Sequence, residues 1–363
     1  MGLRAGDWVQ VRSKQEILAT LDRTGRLEGL PFMPQMFRYC GRSFKVFKVA
    51  HKTCDTVNGT YGRRLAGGIH LDLRCDGQAY GGCQAECLIF WKDAWLKPVS
   101  DGLDVAGSAP ASQSRATIPA QGCLESDVLQ ATSISRENEV AYQCQAVRLP
   151  YFTKPLPWWR LDQYVADYVS GNVSLRNIFD GLVYSVYCKL TRAYHPTLGR
   201  PGRWLYDWFQ TRRGGTLYPR HRGRLRPGEV EPVVNLNLQP GELVRVKSYE
   251  EILSTVNSQY TNRGLFFDGE MVPYCGGTYR VRAKVSKFID EKTGKMRRMK
   301  TAAVILEGVS CGSCYSYKRM FCPRAIYSWW REAWLERVEE ESKSRTAASD
   351  IPSAQRPKSL VNF

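Results

Sequence analysis

Apolar and polar residues alternate at the head of the chain, in Asp7-Trp-Val-Gln-Val11, and again much later, in Glu242-Leu-Val-Arg-Val246. Alternation with period two predicts a short strand at each place. Each strand is followed by Ser-x-x-Glu (Ser13/Glu16 and Ser248/Glu251) and then by Ile17, Leu18 and Leu21 or Ile252, Leu253 and Val256. That is a capping box leading into a short one-faced helix, because the serine accepts from a free N–H of the first turn while the glutamate reaches back. A longer strand is predicted over Phe44 to Lys52 and over Tyr279 to Ile289. The second of these turns at Asp290-Glu-Lys-Thr-Gly294 and returns over Met296 to Leu306. Aromatic segments and a last short strand, around Trp95 to Val99 and Trp334 to Val338, close both stretches.

These patterns coincide because the chain carries one unit twice. Between Gly6–Asp55 and Gly241–Asp290, at a constant offset of 235, eighteen of fifty positions are identical. After an indel the match resumes at Cys75/Cys311, Cys83/Cys322, Trp91/Trp330 and Trp95/Trp334. Short strands, a hairpin and a closing strand predict an α+β protein. Its two β-rich modules would be SH3-like barrels, each with an inserted short helix, flanking a helical middle region. The expected divisions are a first repeat at 1–99, a flexible linker at 100–143, a basic helical region at 144–230, a second repeat at 231–338 and a disordered tail at 339–363. In the middle region, Leu175, Ile178, Phe179, Leu182, Val183, Val186, Tyr187 and Leu190 form a helical stripe over about 174–192. Such a stripe is most simply core, and at a membrane interface only in the rarer case. A second helix is expected from about Arg203 to Gln210.

Composition narrows the class. Of 363 residues, 43% are hydrophobic and 12% aromatic, which is a globular balance. No apolar run reaches about 18 residues, so no spanning helix is expected. With no apolar signal core at the start, a reducing cytoplasmic setting is the default, where twelve cysteines read as thiols or metal ligands. The net charge of +17 is spread over residues 6–99 (14 basic against 9 acidic), 241–338 (17 against 10) and 145–230 (14 against 5). Such a body favours polyanions, nucleic acid first among them. Candidate contacts are Arg212, Arg213, Arg220, Arg222, Arg224 and Arg226 in a glycine-interspersed run, and Arg280, Arg282, Arg297 and Arg298 on the hairpin.

Cys75, Cys83 and Cys87 lie within thirteen residues among Gly77, Gly81 and Gly82, with Cys54 upstream. Cys54 and Cys87 face Ile289 and Ile326 in the second repeat, as if two ligands of one site had been replaced by core. The expected metal site is therefore Cys54, Cys75, Cys83 and Cys87, with Cys40 and His51 as substitutes. A second site could form from Cys275, Cys311, Cys314 and Cys322. Zinc needs only four convergent thiolates; an iron–sulfur cluster is the alternative. Cys123, Cys144 and Cys188 read as isolated structural residues. Phosphate-binding glycine loops, H-E-x-x-H and G-x-S-x-G are missing, so a binding or adaptor role is expected before that of a metal- or thiol-dependent enzyme or accessory factor. A peripheral membrane protein is the third possibility. The segments HKTCD at 51–55, RCDG at 74–77, YCGG at 274–277 and FCPRAIY at 321–327 resemble an uncharacterised bacterial family with this two-repeat, cysteine-rich layout. The resemblance implies the layout and no activity.

Overall fold

The computed structural model describes residues 2–58, 61–99, 122–136, 139–193, 196–316 and 318–338. Helix and strand are mixed, and the sheet is antiparallel and curled into a half-barrel. Strands β1 (Trp8–Val11), β2 (Ser43–Val49), β3 (Gly68–Arg74), β4 (Leu88–Lys92) and β5 (Leu96–Pro98) form one sheet in the order β4-β3-β2-β1-β5. A second sheet, β6 (Leu243–Val246), β7 (Thr278–Ile289), β8 (Met296–Ser310), β9 (Tyr327–Trp330) and β10 (Leu335–Arg337), has the order β9-β8-β7-β6-β10. The registers correspond: Val9 faces Phe44 and Val46 faces Leu71, while Val244 faces Tyr279 and Val281 faces Leu306.

Local chemistry explains this likeness. Helices α1 (Lys14–Leu18) and, in the second half, Tyr249–Leu253 both start from a complete capping box. Val9, Val11 and Ile17 are buried in one core, and Val244, Val246 and Ile252 in the other. Phe32 meets Trp91 and Trp95 edge-on at 6.3 and 5.2 Å, and Phe267 meets Trp330 and Trp334 at 6.2 and 5.3 Å. Each closing tryptophan donates its indole N–H to a threonine, Trp95 to Thr20 and Trp334 to Thr255. These donors would otherwise be buried without partners.

The hairpin ends differ. In the second sheet β7 and β8 stay paired out to Ile289 and Met296. This long tip docks on the first sheet, where Ile289 and Met296 join the core. Gln84 accepts from the amides of Ser286 and Lys287 at 2.8 and 3.0 Å and donates its own amide to Lys287 O at 3.1 Å. In the first half the chain leaves β2 after Val49 and forms a short strand, Lys52–Cys54, between nothing of its own sheet and Gly62–Arg64, which also pairs with Lys154–Leu156. That end reaches toward the second sheet.

Residues 122–136 and 139–143 are structured, unlike the linker expected there. Helix α2 (Glu125–Gln130) and the pair Ser133–Arg136/Glu139–Tyr142 follow one another, and Cys123, Val128 and Tyr142 pack on the first core. Their apolar residues find a surface on which to bury. The remainder of the expected linker, 100–121, and the expected tail, 339–363, lie outside the described residues.

Helices α3 (Gln145–Phe152), α4 (Asp162–Val169), α5 (Leu175–Ala193) and α6 (Pro196–Arg213) form the middle region. Tyr184 and Tyr206 are buried, and Tyr187 stacks on Tyr206 at 4.9 Å. The expected stripe divides: Ile178, Val183 and Tyr187 are half-buried, whereas Leu175, Phe179, Leu182 and Val186 are exposed. The side chains of Cys188 and Leu190 lie outside the described residues. On α6, Trp204, Leu205, Trp208 and Phe209 are exposed as well.

Candidate thiol sites where the two sheets meet

At the end of β3 the chain folds back through Cys75-Asp76-Gly77, a 3-10 turn at Gln78–Tyr80, and Gly81-Gly82. Gly77 has φ 68°, and a Cβ there would collide with the Cys83 carbonyl, so the reversal requires glycine. The Cys75 amide donates to Cys87 O at 2.9 Å, which closes the loop and brings both ends together. Cys144 arrives from another direction, at the start of α3. The Gln145 side chain locks it there by bonding Phe90 N at 2.8 Å and Phe90 O and Pro31 O at 2.9 Å. Cys75, Cys83, Cys87 and Cys144 then line one cavity of about 30 Å³, with Tyr80 and Ile289.

The second sheet repeats the loop closure. The Cys311 amide donates to Ile326 O at 2.7 Å, which places Ile326 where Cys87 stands in the first. Cys322 is met by Cys54 from the first half: the Cys54 amide lies 3.0 Å from Cys322 Sγ, and the Cys54 thiol donates to the same sulfur. Cys311 Sγ is 3.3 Å from Ser313 Oγ, and the Cys314 thiol donates to Gly312 O at 3.5 Å. Glu270, wholly buried beneath this loop, accepts from the amides of Cys314 and Tyr315 at 3.0 and 2.6 Å and from Ser316 Oγ at 3.1 Å. Burial, with Asp268 nearby, still pushes its carboxyl up to about 7. Gln35 occupies the matching place in the first half and donates to Cys75 Sγ at 3.1 Å.

Arg324 joins the two groups. Its guanidinium is 1% exposed, donates to Thr56 Oγ1 at 2.7 Å and to Glu291 Oε1 at 2.9 Å, and leaves Nε without a partner. Burial opposes its charge, but Glu291 and the sulfurs of Cys54, Cys87 and Cys322 hold its pKa above the ordinary value. Thiols respond to the same surroundings. Burial pushes Cys75 and Cys311 well up, Cys87 and Cys314 to about 12 and Cys144 to about 11. Donation to Cys322, then burial, holds Cys54 well up; Cys322, despite its own burial, falls to about 7 through the Cys54 thiol, the Arg324 amide and the Arg324 charge.

Of the four expected ligands, three come together. Cys54 does not join Cys75, Cys83 and Cys87, because the chain end that carries it crosses to the second sheet and meets Cys322. Cys144 takes a place beside the three, and nothing in its spacing signals this. Cys275 stays in the second core, its thiol 3.9 Å from Met271 O, and Cys40 packs likewise on the first. His51 lies apart from both groups, with Nε2 3.1 Å from Asp167 Oδ1 but out of line for a hydrogen bond. That aspartate forms a buried pair with Lys52 at 2.5 Å. Among the described residues, no three His, Cys, Asp or Glu side chains stand converged as an ion would hold them.

The expected arginines are scattered over the molecule. Arg282 pairs with Glu86 at 2.6 Å, Arg297 with Asp290 at 3.1 Å, and Arg224 with Glu250. Arg280 donates to Gly241 O, and Arg220 to Tyr184 Oη and Tyr315 O. Arg212 stacks on Trp208 at 4.2 Å. Arg222, Arg226 and Arg298 are exposed, and the side chain of Arg213 lies outside the described residues. No protein-family model matches the chain, and neither a curated protein nor a solved structure matches it.

Proposed function

We propose that the chain is a non-enzymatic binding protein, built on two SH3-like modules in a reducing, cytoplasmic setting, and that the polyanion it meets is an anionic membrane surface. One observation carries this reading: the exposed apolar face of the middle helices. Leu175, Phe179, Leu182 and Val186 follow one another along α5, and Trp204, Leu205, Trp208 and Phe209 lie on α6. Arg176, Arg203 and Arg212 stand among them. Aromatic and aliphatic residues on one side with arginines beside them suit the headgroup boundary, where apolar burial and attraction to anionic lipid add. Each helix thus leaves a stripe of large apolar side chains uncovered, and such surface marks an interaction site when it is extensive. No described helix is long and apolar enough to cross a membrane, so the contact is peripheral.

Nucleic acid is the competing polyanion, and it is less favoured because the hairpin arginines Arg282 and Arg297 are engaged with carboxylates. Flotation with phosphatidylserine-containing and pure phosphatidylcholine vesicles separates the two. We expect the full chain to float with the anionic vesicles and Phe179→Asp/Leu182→Asp to lose at least tenfold in bound fraction. Absence of flotation together with salt-sensitive retention on immobilised DNA or RNA would favour nucleic acid and reject the membrane reading.

A further inference from the structure

We propose that the chain holds two zinc centres, one bound by Cys75, Cys83, Cys87 and Cys144 and the other by Cys54, Cys311, Cys314 and Cys322. The inference is independent of the membrane reading. It starts from a correspondence between the two halves. Cys75 and Cys311 occupy equivalent places, as their amide bonds to Cys87 O and Ile326 O show. Cys54 and Ile289 are equivalent by sequence, and each crosses to the other sheet: Ile289 lines the cavity of the first thiol group, and Cys54 touches Cys322 of the second. At the crossing, Thr56 and Glu291, again equivalent, bond to each other.

This exchange explains where cysteine is present and where it is replaced. The first group receives an isoleucine across the junction and gains Cys144 from α3. The second has Ile326 in place of Cys87, and it gains Cys54 across the junction and Cys314 from its own loop. Both groups thereby reach four thiols by different routes, the number a closed tetrahedral site takes.

Arg324 supplies a separate argument. A buried guanidinium is costly unless anions surround it, and this one has a single carboxylate and an unpartnered Nε. It lines the first cavity and interacts with Cys54 and Cys322 of the second group. Zn²⁺ bound by four thiolates is a dianion, and one such centre on either side would provide the missing countercharge. Zinc is the metal assigned because a closed set of four thiolates is its usual structural site. Closing on that ion requires the thiols to rotate inward from the partners they now hold, such as Gly312 O for Cys314.

Metal analysis of the full chain, purified without chelators, tests the proposal. We expect two zinc ions per chain and a colourless protein. Cys144→Ser and Cys54→Ser should each lower the content to one, and so should Cys314→Ser, which alters a loop thiol and spares the core if Cys54→Ser fails to fold. Cobalt exchange should give thiolate charge-transfer absorption that halves in each variant. Metal-free protein overturns both centres; a content unchanged by Cys54→Ser and Cys314→Ser overturns the second, and one unchanged by Cys144→Ser overturns the first. A brown protein containing iron overturns zinc.

Discussion

His70 is wholly buried on β3, with Nδ1 donating to Ile89 O at 2.9 Å and its ring 4.5 Å from that of Phe90. Burial, against the help of that hydrogen bond, pushes its pKa down to about 3, and the charges of Arg324, Arg74 and Lys48 add to the effect. The folded protein therefore binds fewer protons here than the unfolded chain between about pH 6.5 and 3. The stability that neutral His70 contributes is complete above pH 6.5 and is lost as pH falls. Ile305 fills the matching register place in the second sheet and is also buried. His70→Ile should accordingly remove this part of the acid sensitivity, leaving the variant up to roughly 3 kcal/mol less affected than the parent between pH 7 and 4. Urea titrations at pH 7, 5 and 4 measure this, and parallel pH profiles would contradict it. Single residues were also where the sequence misled. Pairing Cys54 with Cys87 because both become isoleucine assumes that equivalent residues serve the same site. They do not when a chain end crosses to the other sheet, and no spacing rule reports such a crossing.

At the scale of elements, local rules carry much further. The two Ser-x-x-Glu motifs form complete capping boxes, with Ser13 and Ser248 N–H bonded to Glu16 and Glu251 at 2.9 and 2.8 Å. Both are legible because a cap depends on four consecutive residues. Ser13→Ala and Ser248→Ala should each cost about 1 kcal/mol. The helices lie in different sheets and share no partner, so the double variant should lose about the sum. Denaturant midpoints check the values, and a double mutant no worse than either single would show that only one cap matters. The turn at Asp290 was legible for a similar reason, since Asp290 Oδ1 accepts from the amides of Lys292 and Thr293. The existence of α5 followed from its period, but which face is buried did not. Periodicity reports an apolar side without saying whether protein or another phase covers it, and Leu175, Phe179, Leu182 and Val186 remain uncovered.

Across the whole molecule, Arg324 couples the halves, because it bonds Thr56 of the first and Glu291 of the second while facing sulfurs from both thiol groups. Its contribution must then depend on the charge of those sulfurs. With neutral thiols Arg324 is a buried cation poorly compensated, and replacing it with methionine removes a desolvation cost along with two hydrogen bonds. With thiolates on a metal, the same replacement deletes the countercharge of two anionic centres. Arg324→Met should therefore destabilise the metal-loaded protein by on the order of 2 kcal/mol more than the metal-free protein. Linkage turns that difference into affinity: the variant should bind zinc at least tenfold more weakly, at about 1.4 kcal/mol per factor of ten. Competition with a chromophoric chelator measures the affinity, and denaturation with and without metal measures the stabilities. The two routes must close on one coupling free energy. Equal destabilisation with and without metal would mean that Arg324 only joins Thr56 to Glu291, and the electrostatic link between the thiol groups would have to be abandoned.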